Sequence, residues 1–147
     1  MKIPTDTFLQ HIGLQKVYYF SCNRIDTPDN HFWVCIQRTP DDVLILSCCT
    51  SQLETIERLI KYQRLLPETF VFVSPKDNSN PFWKDTFVNC NNCQLFTIDE
   101  FRAMYDSNRV KYSGEISDAH FQQILDGVRL STLVDGETKA LLPKSII

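Results

Sequence analysis

A chain of 147 residues with 43% hydrophobic and 22% charged side chains has the length and composition of one folded domain, which excludes a disordered protein. The formal net charge of −3 excludes a molecule that attracts phosphate over its whole surface, so any nucleic-acid site has to be local. The sequence has no leader-like apolar segment at its start and no run of about 20 apolar residues, so we expect a cytoplasmic protein that does not enter the membrane.

The first half of the sequence predicts a helix followed by three strands. An amphipathic pattern indicates a helix over residues 2–13, with Thr5 or Thr7 as its cap. Three β-branched and aromatic runs then predict strands, over residues 16–22, 32–37 and 43–49. The last of these strands is almost continuously apolar and is therefore expected to be central. A polar loop over residues 23–30 and a turn at residues 39–42 favour an antiparallel meander.

After the third strand the pattern turns helical, and the C-terminal third of the sequence is predicted to be helical. Apolar residues at three- and four-residue spacing predict a helix over residues 52–66, with Ser51 and Glu54 as a capping box. Two short strands and three helices are predicted to follow, over residues 70–73, 86–90, 97–105, 117–130 and 135–142. Residues 113–115 are interpreted as a break. The pattern predicts an α+β fold in which about five strands form a small curled antiparallel sheet with attached helices.

The six cysteines invite a disulfide or zinc interpretation, at residues 22, 35, 48, 49, 90 and 93. Without a secretion signal, thiols are expected to stay reduced. Cys90 and Cys93 form one C-x-x-C pair, but no second pair lies at metal-binding spacing. Cys48 and Cys49 point to opposite faces if they lie on a strand. We therefore predict free thiols, no metal site and no cofactor.

Two stretches of the sequence carry a family resemblance when they are taken together. Residues 31–51 contain an apolar strand, a turn with Pro40 and a second apolar strand that ends in a Thr-Ser pair. Residues 84–91, the Gly-Glu-Ile-Ser run at 114–117 and the helix at 121–130 form the second stretch. Their order resembles that of the PemK/MazF-like toxin superfamily. The resemblance implies a single PemK/MazF-like domain over residues 1–147, built as an SH3-like barrel.

The resemblance also implies a function. Active members of this superfamily are metal-independent endoribonucleases that cut single-stranded RNA, usually as homodimers, and are restrained by an antitoxin protein. Thr50 matches the family's strand-end Thr, whose hydroxyl and amide contact phosphate. His31 stands where the family has Arg-Pro, and Arg24 is the nearest cation in the same loop. We expect His31 to act as acid or base, Arg24 as phosphate clamp and Thr50 as hydrogen-bond donor.

Three further residues are predicted to bind the substrate, namely Ser51, Trp83 and Asn89. Trp83 and Phe82 lie in a Pro- and Asn-rich loop, where an aromatic ring is placed to stack on RNA bases. Each site residue also has a structural interpretation. Trp83 and Phe82 can plug the open end of a barrel, Thr50 can cap the following helix, Arg24 can be a solvated charge, and His31 can be an edge residue.

Some features of the sequence favour a second function from a different class. The family's Arg-Pro is missing, and Asp26 and Asp29 bring negative charge to the loop before His31. Carboxylates beside a phosphate weaken RNA binding by like-charge repulsion. The alternative is a catalytically inactive SH3-like barrel that binds a protein or a nucleic acid. An unrelated α+β binding domain is the third possibility.

Overall fold

The computed structural model describes residues 2–25, 28–76 and 81–144. Along these residues lie six strands and five α-helices, with a 3₁₀ turn at Pro67–Thr69: α1 Thr5–His11, β1 Lys16–Phe20, β2 His31–Arg38, β3 Val43–Thr50, α2 Leu53–Gln63, β4 Phe70–Val73, β5 Thr86–Thr97, α3 Ile98–Asp106, β6 Lys111–Glu115, α4 Asp118–Leu130 and α5 Gly136–Leu141. Within the described ranges no helix is long and apolar enough to cross a membrane.

All six strands belong to one curled antiparallel sheet in the order β4-β5-β3-β2-β1-β6. The first three strands form the predicted meander, and β3 is central between β2 and β5. This arrangement confirms the predicted α+β class. The sheet has one strand more than predicted, because residues 111–115 extend it beyond β1.

Both faces of the sheet are covered, which explains why β3 is apolar at successive positions. On one face, α4 packs its buried side chains Phe121 and Leu125 against Val34 and its neighbours. On the other face, α1 and α3 cover Trp33 and its neighbours. Adjacent residues of β2 therefore enter different cores, as the alternation of a strand requires.

The prediction that β5 ends at Cys90 was wrong, because the strand continues to Thr97. Asn91 looks like a strand end in the sequence, yet its side chain is buried and fully engaged. Its Nδ2 group donates to Thr69 Oγ1 at 2.8 Å, and its Oδ1 atom accepts from Ser131 Oγ at 2.6 Å. These partners remove the cost of burying an amide, so the polar residue does not end the strand.

The predicted break at residues 113–115 was also wrong. These residues belong to β6, where Gly114 has a φ of +130° and the pairing with β1 shifts register between Val17 and Tyr18. A glycine adopts this φ without the steric penalty that a side chain would impose. The irregularity is therefore a bulge within a strand.

Two predicted helix caps do not form, whereas two others do. Helix α1 follows Pro4 and α2 follows Gln52, and neither start has a side-chain cap. The predicted caps at Thr5 or Thr7 and the Ser51–Glu54 box were therefore wrong. The capping box of Thr97 and Glu100 and the cap by Ser117 are confirmed.

Candidate functional site

A cleft of about 780 Å³ opens where β2 begins and β3 ends. These neighbouring strands run antiparallel and pair Trp33 with Cys48. The first residue of β2 and the last residue of β3 therefore lie at the same end of the sheet. Those residues are His31 and Thr50, and both line the cleft.

Five of the six predicted site residues line this cleft, namely His31, Thr50, Ser51, Trp83 and Asn89. They come from three segments that are far apart in the sequence. The sheet brings them together because β2, β3 and β5 are neighbours and because the loop before β5 folds over the same end. The predicted roles of these residues stay predictions.

The orientation of His31 is set by a hydrogen bond to the main chain. Its Nδ1 atom lies 3.1 Å from the carbonyl oxygen of Asp29. A carbonyl oxygen only accepts, so Nδ1 carries the hydrogen and donates it. In the neutral ring this leaves a lone pair on Nε2, which is the atom able to take a proton.

Thr50 lies at the junction between β3 and α2. Its Oγ1 atom accepts a hydrogen bond from the backbone N–H of Gln52 at 3.2 Å. Helix α2 is 11 residues long and begins at this point without a side-chain cap, and Ser51, Gln52 and Thr55 all line the cleft. The first N–H groups of a helix are not used within it and carry partial positive charge. The cleft therefore has donors suited to an anion at this end.

The two aromatic residues of the loop before β5 are divided between the core and the surface. Phe82 is buried and packs against Phe32 at a centroid distance of 5.0 Å. Trp83 is 63% exposed and contacts Phe32 and Tyr19 edge to face, at centroid distances of 4.7 and 5.4 Å. The ring of Trp83 is therefore supported from one side and exposed on the other.

The same loop is attached to the edge strand β6. Ser113 Oγ donates to the carbonyl oxygen of Pro81 at 3.1 Å. A Cβ atom added at Gly114 would lie 3.0 Å from the Cβ atom of Pro81, so the two backbone segments are in close contact at this glycine. Strand β6 thus fixes the start of the segment that carries Trp83.

Lys84 is a residue of the cleft that the sequence analysis did not assign to the site. Its exposed side chain is the one lysine or arginine in the lining that the structure describes. A signal was present in the sequence, because a basic residue beside an exposed aromatic ring is typical of single-strand binding. Asp29 also lines the cleft, whereas Asp26 lies outside the described residues.

Arg24 does not lie with the other predicted site residues. It lines a second depression of about 740 Å³, with Cys22, Phe96, Met104 and others, which we call the Arg24 depression. Its guanidinium group pairs with Glu100 at 2.6 Å and lies 4.1 Å from the ring centroid of Phe96. The predicted role of Arg24 as a phosphate clamp stays a prediction.

The cysteines in the cleft are poor nucleophiles. Cys48 and Cys49 line it and are buried. Burial raises the pKa of the Cys48 thiol to about 12 and holds the pKa of Cys49 well above its usual range. Both thiols are therefore protonated at neutral pH. All six cysteines are free, and the described part of the chain contains no group of three or more His, Cys, Asp or Glu placed to hold a metal ion.

No protein-family model and no curated protein matches this sequence. Among solved structures, the fold is similar to that of an endoribonuclease in complex with its cognate antitoxin from mycobacterial species. The TM-score is 0.51 and the sequence identity is 15%, and the match covers 90% of this chain and 98% of that chain. At this identity, the similarity concerns the fold.

Proposed function

We propose that this chain is a toxin-like, metal-independent endoribonuclease of a toxin–antitoxin system, and that it cleaves single-stranded RNA in the cleft. The observation that carries the proposal is that His31, Thr50 and Trp83, which lie on separate segments, line one cleft. The similarity of the fold to that of an endoribonuclease bound to its antitoxin supports the class of activity.

The reaction needs a base at the ribose and donors at the phosphate. The Nε2 atom of His31 takes the proton of the 2′-hydroxyl, and the 2′-oxygen forms a bond to the adjacent phosphorus. The bond from phosphorus to the 5′-oxygen breaks, that oxygen takes a proton from water, and the hydroxide left behind takes the proton from His31 Nε2. The products are a 2′,3′-cyclic phosphate and a 5′-hydroxyl, and His31 returns to its neutral form.

The extra negative charge of the pentacoordinate phosphorus is placed near the start of α2. The hydroxyl and the backbone amide of Thr50 and the first N–H groups of α2 are the donors, apart from the Gln52 N–H that Thr50 Oγ1 already accepts, and Lys84 supplies a positive charge. Ser51 and Asn89 bind the flanking RNA, and Trp83 stacks on a base.

The proposal includes partners for the chain. An antitoxin partner is supported by the antitoxin in the similar structure, and the proposal places it over the cleft. A homodimer is part of the proposal through the resemblance of the sequence to the PemK/MazF-like superfamily. Arg24 enters the proposal only if its pair with Glu100 opens, because the guanidinium group is engaged there.

Metal-free cleavage tests the proposal directly. The purified protein is incubated in EDTA with a mixed-sequence single-stranded RNA, and the fragment ends are identified. We expect 2′,3′-cyclic phosphate ends, a loss of roughly 10²- to 10⁴-fold in rate for His31→Ala, and a clear loss for Thr50→Ala. His11→Ala is the matched control, because His11 lies on α1 outside the lining of the cleft. Cleavage by His31→Ala at the wild-type rate would contradict the assignment of the base.

The alternative is a catalytically inactive barrel that binds a protein or a nucleic acid. It is favoured by the pairing of Arg24 with Glu100 and by the presence of Asp29 in the lining of the cleft. A folded protein that cleaves no RNA at high concentration, yet binds it, would support this alternative.

A further inference from the structure

Two amides of β5, Asn89 and Asn92, line the cleft, and we call this pair the amide wall. The Oδ1 atom of Asn89 accepts two hydrogen bonds, from the backbone N–H of Asn91 at 3.0 Å and from Asn91 Nδ2 at 3.1 Å. A carbonyl oxygen has two lone pairs, so these bonds saturate it. Asn89 can therefore offer a ligand only its NH₂ group.

The position of Asn91, which holds Asn89, is itself fixed. Its own amide is buried between Thr69 and Ser131, as described for the fold. Asn91 Nδ2 has two hydrogens, and they are used by Asn89 and Thr69. A flip of the Asn89 amide would therefore place two donors against the Asn91 donors, which is unfavourable.

Asn92 repeats this arrangement more weakly. Its Oδ1 atom accepts from Gln94 Nε2 at 2.9 Å, so one of its two lone pairs is used and its NH₂ group is left for a ligand. Among residues 2–25, 28–76 and 81–144, no side chain or carbonyl accepts a hydrogen bond from either NH₂ group. The amide wall thus presents two NH₂ donors, and at Asn89 the oxygen is not available as an acceptor.

We infer that the amide wall makes the cleft selective for keto bases, uracil and guanine, over the amino bases cytosine and adenine. The inference rests on the proposed RNA-cleaving function. Uracil O4 and guanine O6 are acceptors at the positions where cytosine and adenine carry amino donors. A keto base stacked on Trp83 can accept from the wall, whereas an amino base leaves donor facing donor.

Matched pairs of bases test the inference. Short 2′-fluoro oligonucleotides, which cannot be cleaved through the 2′-oxygen, are titrated into the wild-type protein and followed by fluorescence anisotropy. The pairs are uridine against cytidine and inosine against adenosine, because each pair differs at the keto or amino position. We expect the keto member to bind about fivefold to tenfold more tightly in both pairs.

One substitution converts the donor into an acceptor while it keeps the internal bonds. Asn89→Asp retains an oxygen for Asn91 and turns the NH₂ group into a second oxygen. We expect the keto preference to be lost or reversed. Asn108→Asp makes the same change of charge outside the lining of the cleft and should keep the preference. Asn92→Asp replaces Asn89→Asp if the latter does not fold.

The outcomes separate this inference from the proposed function. Equal binding within both pairs, by a wild-type protein that cleaves RNA, would overturn the base selectivity alone. An unchanged keto preference in folded Asn89→Asp and Asn92→Asp would overturn the role of the amide wall. No binding of any oligonucleotide and no cleavage would overturn both proposals.

Discussion

The cleft and the Arg24 depression lie side by side and have similar volumes, and Ile25 lines both. They differ in what their polar groups are bound to. Arg24 is held by Glu100 and by the face of Phe96, whereas Lys84 in the cleft has no ion pair within the part of the chain that the structure describes. Arg24, which is close to His31 in the sequence, is therefore less available to bind a phosphate than Lys84, which comes from a distant loop.

The exposed ring of Trp83, which lines the cleft and not the Arg24 depression, is expected to give the largest difference in RNA affinity between the two sites. We expect Trp83→Ala to weaken binding of single-stranded RNA about tenfold or more, because stacking of one base is lost. Tyr62→Ala is the control, since Tyr62 is 71% exposed on α2 and lies outside the lining of the cleft. Anisotropy titrations measure both variants. An equal loss in both would indicate non-specific contact, and no loss in Trp83→Ala would move the binding site away from the cleft.

The buried thiol at the base of the cleft predicts an alkaline loss of stability. Burial raises the pKa of Cys48 from about 9 to about 12, so unfolding releases a proton between these pH values. Its contribution is complete below pH 9 and is lost as pH rises toward 12, and the loss amounts to about 1 kcal/mol by pH 10.

This loss of unfolding free energy can be measured by urea unfolding under reducing conditions. Wild type and Cys48→Ser are compared at pH 8 and pH 10. Serine keeps the size of the side chain and does not titrate, so the decrease in unfolding free energy between the two pH values should be smaller in the variant. The same decrease in both proteins would show that the Cys48 thiol is not held protonated by burial.

Removing a positive charge is expected to give the smallest of the three effects. It is also the most direct test of the difference between Lys84 in the cleft and Arg24 in the Arg24 depression. We expect Lys84→Ala to weaken RNA binding about threefold to fivefold and to reduce the salt slope by about 0.7, the value for one phosphate contact on a single strand. Arg24→Ala should change both quantities less, because Arg24 is paired. Titrations at several salt concentrations decide. A larger effect of Arg24→Ala would restore Arg24 as the clamp.

The variant Glu100→Gln sharpens this test. It removes the charge that holds Arg24, and we expect RNA affinity to rise about twofold at most if the freed cation reaches the RNA. The rise should vanish in the double variant with Arg24→Ala. A rise that persists there would have a cause other than Arg24.

Most of the fold could be predicted from local patterns. The apolar run of β3 and the helical spacing of Phe121 and Leu125 indicate burial without any knowledge of partners. The end of β5 could not be predicted, since the partners of Asn91 lie on the 3₁₀ turn before β4 and just after α4. A local pattern does not contain such distant hydrogen bonds.

The same reason limits the prediction of the site. His31 and Thr50 were assigned through the resemblance to the PemK/MazF-like superfamily, and both line one cleft because the ends of neighbouring antiparallel strands meet. The engagement of Arg24 could not, since Glu100 lies 76 residues further along the chain. Lys84 was missed although it stands next to the predicted Trp83 and lines the same cleft, because a single lysine in a loop is not distinguished from a solvated charge until its neighbours in the fold are known.

The attachment of Pro81 to β6 has a consequence for how the cleft can be controlled. Strand β6 forms one edge of the sheet and contributes no side chain to the lining of the cleft, yet Ser113 and Gly114 hold the segment that carries Trp83 and Lys84. An event at this outer edge, such as displacement of β6 by a bound peptide, would shift the aromatic ring and the cation together. A change in the position of the edge strand is therefore expected to change the positions of Trp83 and Lys84 in the cleft.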